Sequence, residues 1–340
     1  MCKTVKKQYT MKKCCFIIPY FGNFPNYFPL FLKSCEYNKD FNWLIFTDNK
    51  ESYNYPANVK VVRTSFEEIR KEVQSKFDFD IKLSTPYKFC DFKPAYGYIF
   101  EDYLREFDFW GHCDMDVLMG NLSHLLTHEF LNQYDKVFCL GHMTIYRNTF
   151  DNNRVFMKSV RGVSLYKRAF STDSIVTFDE EWRDENNVNR IFLENNKKIY
   201  QKDLSLNFSI YHTKFRKITF VGFDSKNDGH GYLTEKYQRS LCVWNQGHVY
   251  RYVLEKDKLK QEEYIYIHLQ KRKMAYDSSI LDLDCFKIVP NRFLPLDKYP
   301  LDLDSYKKER VKYPCSHYYS AILRPRIERK LKRLFVFLKG

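Results

Sequence analysis

Phe107-Asp108-Phe109-Trp110-Gly111-His112-Cys113-Asp114-Met115-Asp116-Val117-Leu118-Met119-Gly120 decides how the chain is read. An aromatic and apolar run ends in two carboxylates spaced i, i+2, and a second apolar run closed by glycine follows. The first run reads as a buried strand. In an extended chain, residues i and i+2 point to the same side. Asp114 and Asp116 can therefore meet one hard cation at the end of that strand. Asp-x-Asp also occurs at Asp78/Asp80, Asp282/Asp284 and Asp302/Asp304, but only Asp114/Asp116 lies between two apolar runs. The others read as solvated loop charge. Two carboxylates among apolar neighbours are costly without a counter-charge. A divalent cation removes that cost, and oxygen ligands suit Mn²⁺ or Mg²⁺.

Upstream, Cys14 to Phe21 reads as a buried first strand that turns at Gly22-Asn23. Asn26 to Tyr37 reads as a helix, Trp43 to Thr47 and Val59 to Arg63 as strands, and Phe66 to Phe77 as a helix. Tyr98 to Phe107 reads as a helix leading into the strand Phe109–Cys113. This alternation predicts an α/β fold around a mostly parallel sheet. Ligands of such sheets bind beyond the carboxyl ends of the strands. Asp48 and the Asp114/Asp116 pair both fall there, on one rim.

Downstream the pattern is more mixed. Strands are predicted at Lys136–Leu140, Ile218–Phe223, Leu241–Asn245, Val249–Leu254 and Tyr264–Leu269, and a short helix at Val188–Lys197. Gly141-His142-Met143 and Asp228-Gly229-His230-Gly231 read as loops able to line a pocket. Residues 282–314, rich in Pro, Asp and Lys, read as a connecting segment. The expected organisation is a basic extension (1–13), a catalytic domain (14–275, divided near residue 120), a connection (276–321) and a basic amphipathic tail (322–340).

The chain has 340 residues, enough for a large core, and 18% aromatics place it among globular proteins. Its net charge of +14 points to anionic partners. Ten cysteines without a CxxC pair read as reduced core thiols, hence a cytoplasmic protein. No apolar run reaches the ~18 residues of a membrane span. Leu323, Ile327, Leu331, Leu334 and Leu338 line one helical face among arginines and lysines. That profile fits a peripheral contact with the anionic inner face of the cell membrane. No nucleic acid is expected as a partner. There is no phosphate-binding Gly-x-x-x-x-Gly-Lys-Ser/Thr loop, Gly-x-Gly-x-x-Gly or Gly-x-Ser-x-Gly, which disfavours P-loop ATPases, dinucleotide oxidoreductases and α/β-hydrolases.

Three further stretches carry chemistry. Tyr264-Ile265-Tyr266-Ile267-His268-Leu269-Gln270-Lys271-Arg272-Lys273 delivers a histidine at the end of an alternating strand. His268 can serve as a third metal ligand, with Lys271 or Lys273 neutralising an anionic ligand. Asp91 and Lys93 form a charge pair among aromatics, or a helix start with Asp91 as cap and Pro94 in the first turn. Phe178-Asp179-Glu180-Glu181-Trp182 places acids beside aromatics, as a base or hydroxyl-binding site or as a solvated helix start. His124 and His128 have zinc-pair spacing but no third ligand, and read as a helix surface.

With these residues in view, the chain resembles bacterial glycosyltransferases of the GT-A fold that build capsule or O-antigen polysaccharide. The resemblance spans about residues 12–275. It rests on Phe16-Ile17-Ile18-Pro19-Tyr20-Phe21-Gly22, Cys90-Asp91-Phe92-Lys93-Pro94-Ala95-Tyr96-Gly97 and Gly111-His112-Cys113-Asp114-Met115-Asp116. More distantly, it is similar to retaining transferases in which a later histidine completes the metal site. Those relatives follow the histidine with Gly and Lys-Pro, where this chain has Leu-Gln-Lys-Arg-Lys.

The resemblance implies a GT-A-like, Rossmann-type mixed sheet flanked by helices, with a basic helical tail. It implies a metal-dependent transferase moving a hexose from a nucleoside diphosphate sugar, a UDP-sugar first, to a hydroxyl of a glycan or lipid-linked acceptor. Asp114, Asp116 and His268 would hold Mn²⁺ or Mg²⁺. Tyr20, Asp48, Asp91, Lys93, Lys271 and Lys273 would contact the donor. Asp179 or Glu180 would be the base of an inverting enzyme, although the likeness leans toward retention. The competing readings are a metal-dependent nucleotidyltransferase or phosphatase, and a non-catalytic carbohydrate-binding protein.

Overall fold

A computed structural model describes residues 14–181, 186–210, 214–222, 231–270, 272–309, 327–328 and 330–331. The N-terminal extension, Lys271, most of the tail and His230 with its loop neighbours 223–229 lie outside those residues. The strands in chain order begin with β1 (Cys14–Pro19), β2 (Phe41–Thr47), β3 (Val59–Arg63), β4 (Phe109–Cys113) and β5 (Val117–Met119). Next come β6 (Lys136–Leu140), β7 (Met143–Arg147), β8 (Ile199–Tyr200), β9 (Ser205–Asn207), β10 (Ile218–Phe220) and β11 (Tyr232–Thr234). The last are β12 (Ser240–Asn245), β13 (His248–Glu255), β14 (Lys258–Tyr264), β15 (Tyr266–His268), β16 (Cys285–Val289) and β17 (Arg292–Pro295).

A seven-stranded mixed sheet in the order β3-β2-β1-β4-β7-β6-β8 forms the base of the molecule. β3, β2, β1 and β4 run parallel, and β7 is antiparallel to both β4 and β6. The fold is thus α/β with a large mixed sheet flanked by helices. β1 is central because its residues are apolar on both faces, as a doubly covered parallel strand requires. Phe16 and Ile18 enter one core and Cys15 and Ile17 the other. Helix α1 (Phe28–Glu36) covers the first face with Phe28, Leu30, Phe31 and Leu32. Helix α2 (Phe66–Ser75) flanks the second through Ile69 and Val73. Its start is fixed by a capping box, in which Ser65 and Glu68 bond each other's backbone N–H.

Several expected boundaries shift. Residues 98–107 do not make a helix. Two short turns, Tyr96–Ile99 and Glu101–Tyr103, carry the chain there instead. Gly97 lies so close to the Trp110 ring that a Cβ would stand 2.2 Å from it, and the chain bends around that contact. The run Tyr264–Leu269 divides: Tyr264 pairs with Val249 in one sheet, while Tyr266–His268 joins another. Of the expected connection 282–314, the described residues 282–309 are more than a connection. β16 and β17 complete a five-stranded antiparallel sheet, β14-β13-β12-β16-β17, and Leu303–Glu309 is helical. Among the described residues no helix is long and apolar enough to cross a membrane, and the cysteines are free.

Candidate metal centre

The carboxyl ends of β1, β2, β4 and β6 lie on one edge of the main sheet, since β6 is antiparallel to β7 and β7 to β4. β4 stops at Cys113, so Asp114 and Asp116 sit just beyond the strand rather than within it. Two ladders fix them. The Asp114 N–H donates to the His142 carbonyl at 2.9 Å, continuing the β4–β7 pairing. The Asp116 carbonyl accepts from the Leu269 N–H at 2.8 Å, continuing a three-stranded sheet β5-β15-β9. In that sheet His268 lies opposite Val117 on one side and Asn207 on the other.

This pairing brings His268 to the carboxylates across about 150 residues of chain. One ligand atom each from Asp114, Asp116 and His268 fall within 4.8 Å of one another, the only such group among the described residues. Asp116 Oδ1 stands 3.3 Å from His268 Nε2. It is nonetheless buried with no hydrogen-bond partner of sound geometry. An orphaned buried carboxylate oxygen beside an imidazole nitrogen and a second carboxylate is the donor set a divalent cation completes. The residues fit the metal. The Asp114, Asp116 and His268 side chains are 36%, 24% and 10% exposed, so the site opens to solvent at its Asp114 end. Burial raises the Asp116 carboxyl and the His268 ring more than offsets it, leaving the carboxyl below its ordinary value.

Lys93 joins the cluster. Its Nζ donates to Asp114 Oδ1 at 2.8 Å and to the Gly141 carbonyl at 2.7 Å, and lies 3.4 Å from Asp179 Oδ2. Burial would lower its pKa, but Asp114 and Asp179 outweigh that and hold it well above the usual lysine value. Asp179 and Glu180 are placed beside the Asp114–Asp116–His268 group through Lys93 and the Gly141 turn. The Gly141 N–H donates to Glu180 Oε2 at 3.3 Å. A Cβ at Gly141 would stand 2.8 Å from that oxygen and 3.1 Å from Asp179 Oδ2. The turn Gly141-His142, expected as a lining loop, therefore lies against the acids. Burial pushes the Asp179 carboxyl up to about 8 against the pull of Lys93, with Glu180, Asp91 and Asp114 adding to the rise. Glu180 is also raised, by burial first. Glu181 turns away to Asn187 and Arg190.

The other expected residues divide. Asp48, past the end of β2, accepts from the Gly22 N–H at 2.7 Å and shapes the turn after β1. Tyr20 sits on the same edge, its pKa raised by burial and by the Asp116 charge. Asp91 departs from the expected donor contact. It is fully buried in the helical turn Phe89–Phe92, paired with Lys88 at 2.7 Å. Its oxygens accept from the Val176 and Phe178 N–H groups, at 3.1 and 2.9 Å. Asp91 is thus neither at the rim nor a helix cap. It anchors the chain that carries Asp179, a role that a lysine three residues before it could have signalled. Lys273 is exposed. His124 and His128 occupy separate turns and face Glu263 and Asp108.

Two residues beside His268, Asn207 and Gln270, carried no expectation. The His268 Nδ1 lies 3.2 Å from Asn207 Oδ1. The Gln270 Nε2 donates to that same oxygen at 3.0 Å. On the other side the His142 ring stacks on His268 with centroids 4.3 Å apart, and His142 Nδ1 is 2.8 Å from the Tyr266 hydroxyl.

Against known proteins, the chain matches the family described as "Family of unknown function (DUF6625)" over residues 16–297, most of its length, and belongs to that family. No curated protein sequence matches it. Similar solved structures include the galactosyltransferase LgtC in complex with donor and acceptor sugar analogs. It is 9% identical, with a TM-score of 0.34, over 57% of this chain and 75% of LgtC. An active-site mutant of LgtC is 10% identical, with a TM-score of 0.32, over 57% of this chain and 74% of that one.

Proposed function

We propose that this family member is a metal-dependent glycosyltransferase of the GT-A type. It would move a hexose from a nucleoside diphosphate sugar, UDP-linked first, to a hydroxyl of a glycan or lipid-linked acceptor in cell-surface polysaccharide synthesis. The observation that carries the reading is the Asp114–Asp116–His268 group on the carboxyl edge of β4, with Tyr20 and Asp48 at the ends of the neighbouring strands. Open parallel sheets bind nucleotides on that edge.

Asp114, Asp116 and His268 would hold the cation, and the imidazole nitrogen favours Mn²⁺ over Mg²⁺. A bound divalent cation supplies Lewis-acid stabilisation of a leaving diphosphate. Tyr20 and Asp48 would contact base and ribose. Lys93, the ammonium nearest Asp114, would meet the donor sugar or phosphate, and Lys271 and Lys273 would close over the diphosphate. Asp179 and Glu180 would face the acceptor. An inverting base must be ionised when it takes the acceptor proton. Burial opposes ionisation of Asp179, which weighs toward retention.

With Mn²⁺ present, UDP or GDP should raise the melting temperature by several degrees at saturation, and Asp116→Ala should abolish the rise. No shift with either nucleotide at any divalent-metal concentration overturns the reading. Product analysis with UDP-sugars completes the test. Cleavage at the anomeric carbon supports transfer, and cleavage between the phosphates would move the assignment to phosphate chemistry.

A further inference from the structure

We infer that Asn207, locked by Gln270, is a positioning residue that fixes which nitrogen of His268 is offered to the cation. The inference rests on the metal reading above and concerns residues that reading does not use.

His268 stands between two acceptors. Nε2 faces Asp116 Oδ1 at 3.3 Å and Nδ1 faces Asn207 Oδ1 at 3.2 Å. A neutral imidazole carries one proton, and a metal binds the nitrogen that lacks it. Nε2 is the nitrogen within the carboxylate group, so the proton must reside on Nδ1 when a cation is held. That proton needs an acceptor, because the ring is nearly buried. Asn207 supplies it.

An asparagine amide could equally turn its NH₂ toward Nδ1, which would force the proton onto Nε2 and block the site. The Gln270 amide, as it stands, opposes that turn. Its Nε2 donates to Asn207 Oδ1 at 3.0 Å, so this oxygen is held as the acceptor for both neighbours. Gln270 has φ of 54°, a left-handed backbone just past β15, and its side chain reaches Asn207 on the neighbouring β9. The parallel pairing of β9 with β15 sets Asn207 directly opposite His268. Asn207 is itself buried, at 5% exposure. On the other ring face His142 stacks at 4.3 Å and is tied to Tyr266. The ring is therefore fixed in plane by a hydrogen bond and across its face by packing. Acceptors that hold the far nitrogen of a metal-binding imidazole typically change metal affinity about 10–100-fold when removed.

The test is a Mn²⁺ titration of the full chain followed by the EPR signal of free Mn²⁺. It compares wild type with Asn207→Leu, Asn207→Asp and Gln270→Ala. Circular dichroism melting without metal serves as the folding check. Asn207→Leu, which has no acceptor, should weaken Mn²⁺ binding at least tenfold while remaining folded. Asn207→Asp keeps an acceptor and adds charge, and should bind at least as tightly as wild type. Gln270→Ala, which frees the amide to rotate, should fall between wild type and Asn207→Leu. In ¹⁵N spectra with a diamagnetic divalent ion, the wild-type ring should carry its proton on Nδ1. A folded Asn207→Leu variant binding within twofold of wild type overturns the inference and leaves the metal reading intact. If Asn207→Leu does not fold, a tenfold loss in Asn207→Asp overturns it in the same way. Wild type that binds no Mn²⁺ overturns the metal reading itself, and this inference with it.

Discussion

Lys93 is a single ammonium set between two carboxylates, and it does not serve them equally. It sits 2.8 Å from Asp114 and 3.4 Å from Asp179. Asp179 is left as an under-compensated buried acid, pushed up to about 8. An unfolded aspartate titrates near ~3.9. A folded value above the unfolded one means the native state binds the proton more tightly. The destabilisation is therefore absent below the unfolded value and grows as pH rises from about 4 to about 8. Asp179→Asn, which cannot ionise, should melt above wild type at pH 9, with the gap narrowing toward pH 5. A gap that stays constant over that range, measured by thermal denaturation, would contradict the buried-acid assignment. At this scale the sequence shows some residues and hides others. Asp114 and Asp116 are legible because an apolar strand leads to them, and His268 because alternation from Tyr264 delivers it. Asp91 and Lys93 look alike in sequence, two charges among aromatics. The helical turn sends them in different directions, one beneath the core and one to the rim. Asn207 is hidden because nothing local in Ser205-Leu206-Asn207 announces a strand, and its meaning comes only from the residue across the ladder.

Among the elements, β4 and β7 govern the position of Asp114. Their pairing is close at Gly111, where a Cβ would stand 2.4 Å from the Thr144 carbonyl oxygen and 3.1 Å from the Phe16 ring. The first of these is backbone and cannot swing away. Gly111→Ala should force the two strands apart and cost about 1–3 kcal/mol or more, read by denaturant unfolding. Mn²⁺ binding should weaken too, since the Asp114–His142 backbone bond lies at the end of the same pair. Unchanged stability would show that the strands separate freely there. Strands with continuous apolar runs are legible in sequence, as β1, β2, β4 and β6 show. Predicted elements fail where composition and contact disagree. Cys285-Phe286-Lys287-Ile288-Val289 is a good strand hidden in a Pro-, Asp- and Lys-rich region. Tyr98–Phe107 has helical composition, but the Gly97–Trp110 contact and the turn at Glu101–Tyr103 break it.

Across the whole molecule, the antiparallel sheet of β12–β14, β16 and β17 is tied to β5 and, through the turn that leads into β16, to α1. The Trp244 indole N–H donates to the Met119 carbonyl at 2.9 Å, and Lys33 of α1 donates to the Leu281 and Leu283 carbonyls at 2.8 Å each. The helix Leu303–Glu309 is pinned to β16 by a buried pair, Lys287 with Glu309 at 2.6 Å. Glu309 also accepts from the Asp297 N–H. Lys287→Met should strand the Glu309 carboxylate and lower stability by about 3–5 kcal/mol, measured by chemical denaturation. Adding Glu309→Leu should recover most of the loss. If the double variant is no more stable than the single one, the pair is not the source of the penalty.

The crossing of β15 between β5 and β9 also sets a timetable. Asp114 and Asp116 are synthesised about 150 residues before His268 and the Leu269 N–H that holds Asp116 in place. At ~5–20 residues per second, that interval lasts about 8–30 s. Throughout it, the nascent Val117–Met119 strand lacks its β15 partner, and the two carboxylates lack the imidazole that stands beside them in the finished fold. A chain that stops short of residue 268 contains every strand of the parallel β3-β2-β1-β4 set and lacks His268. The Asp114–Asp116–His268 group is therefore assembled only when β15 arrives, so a polypeptide interrupted before that point carries the Asp-x-Asp pair without its histidine.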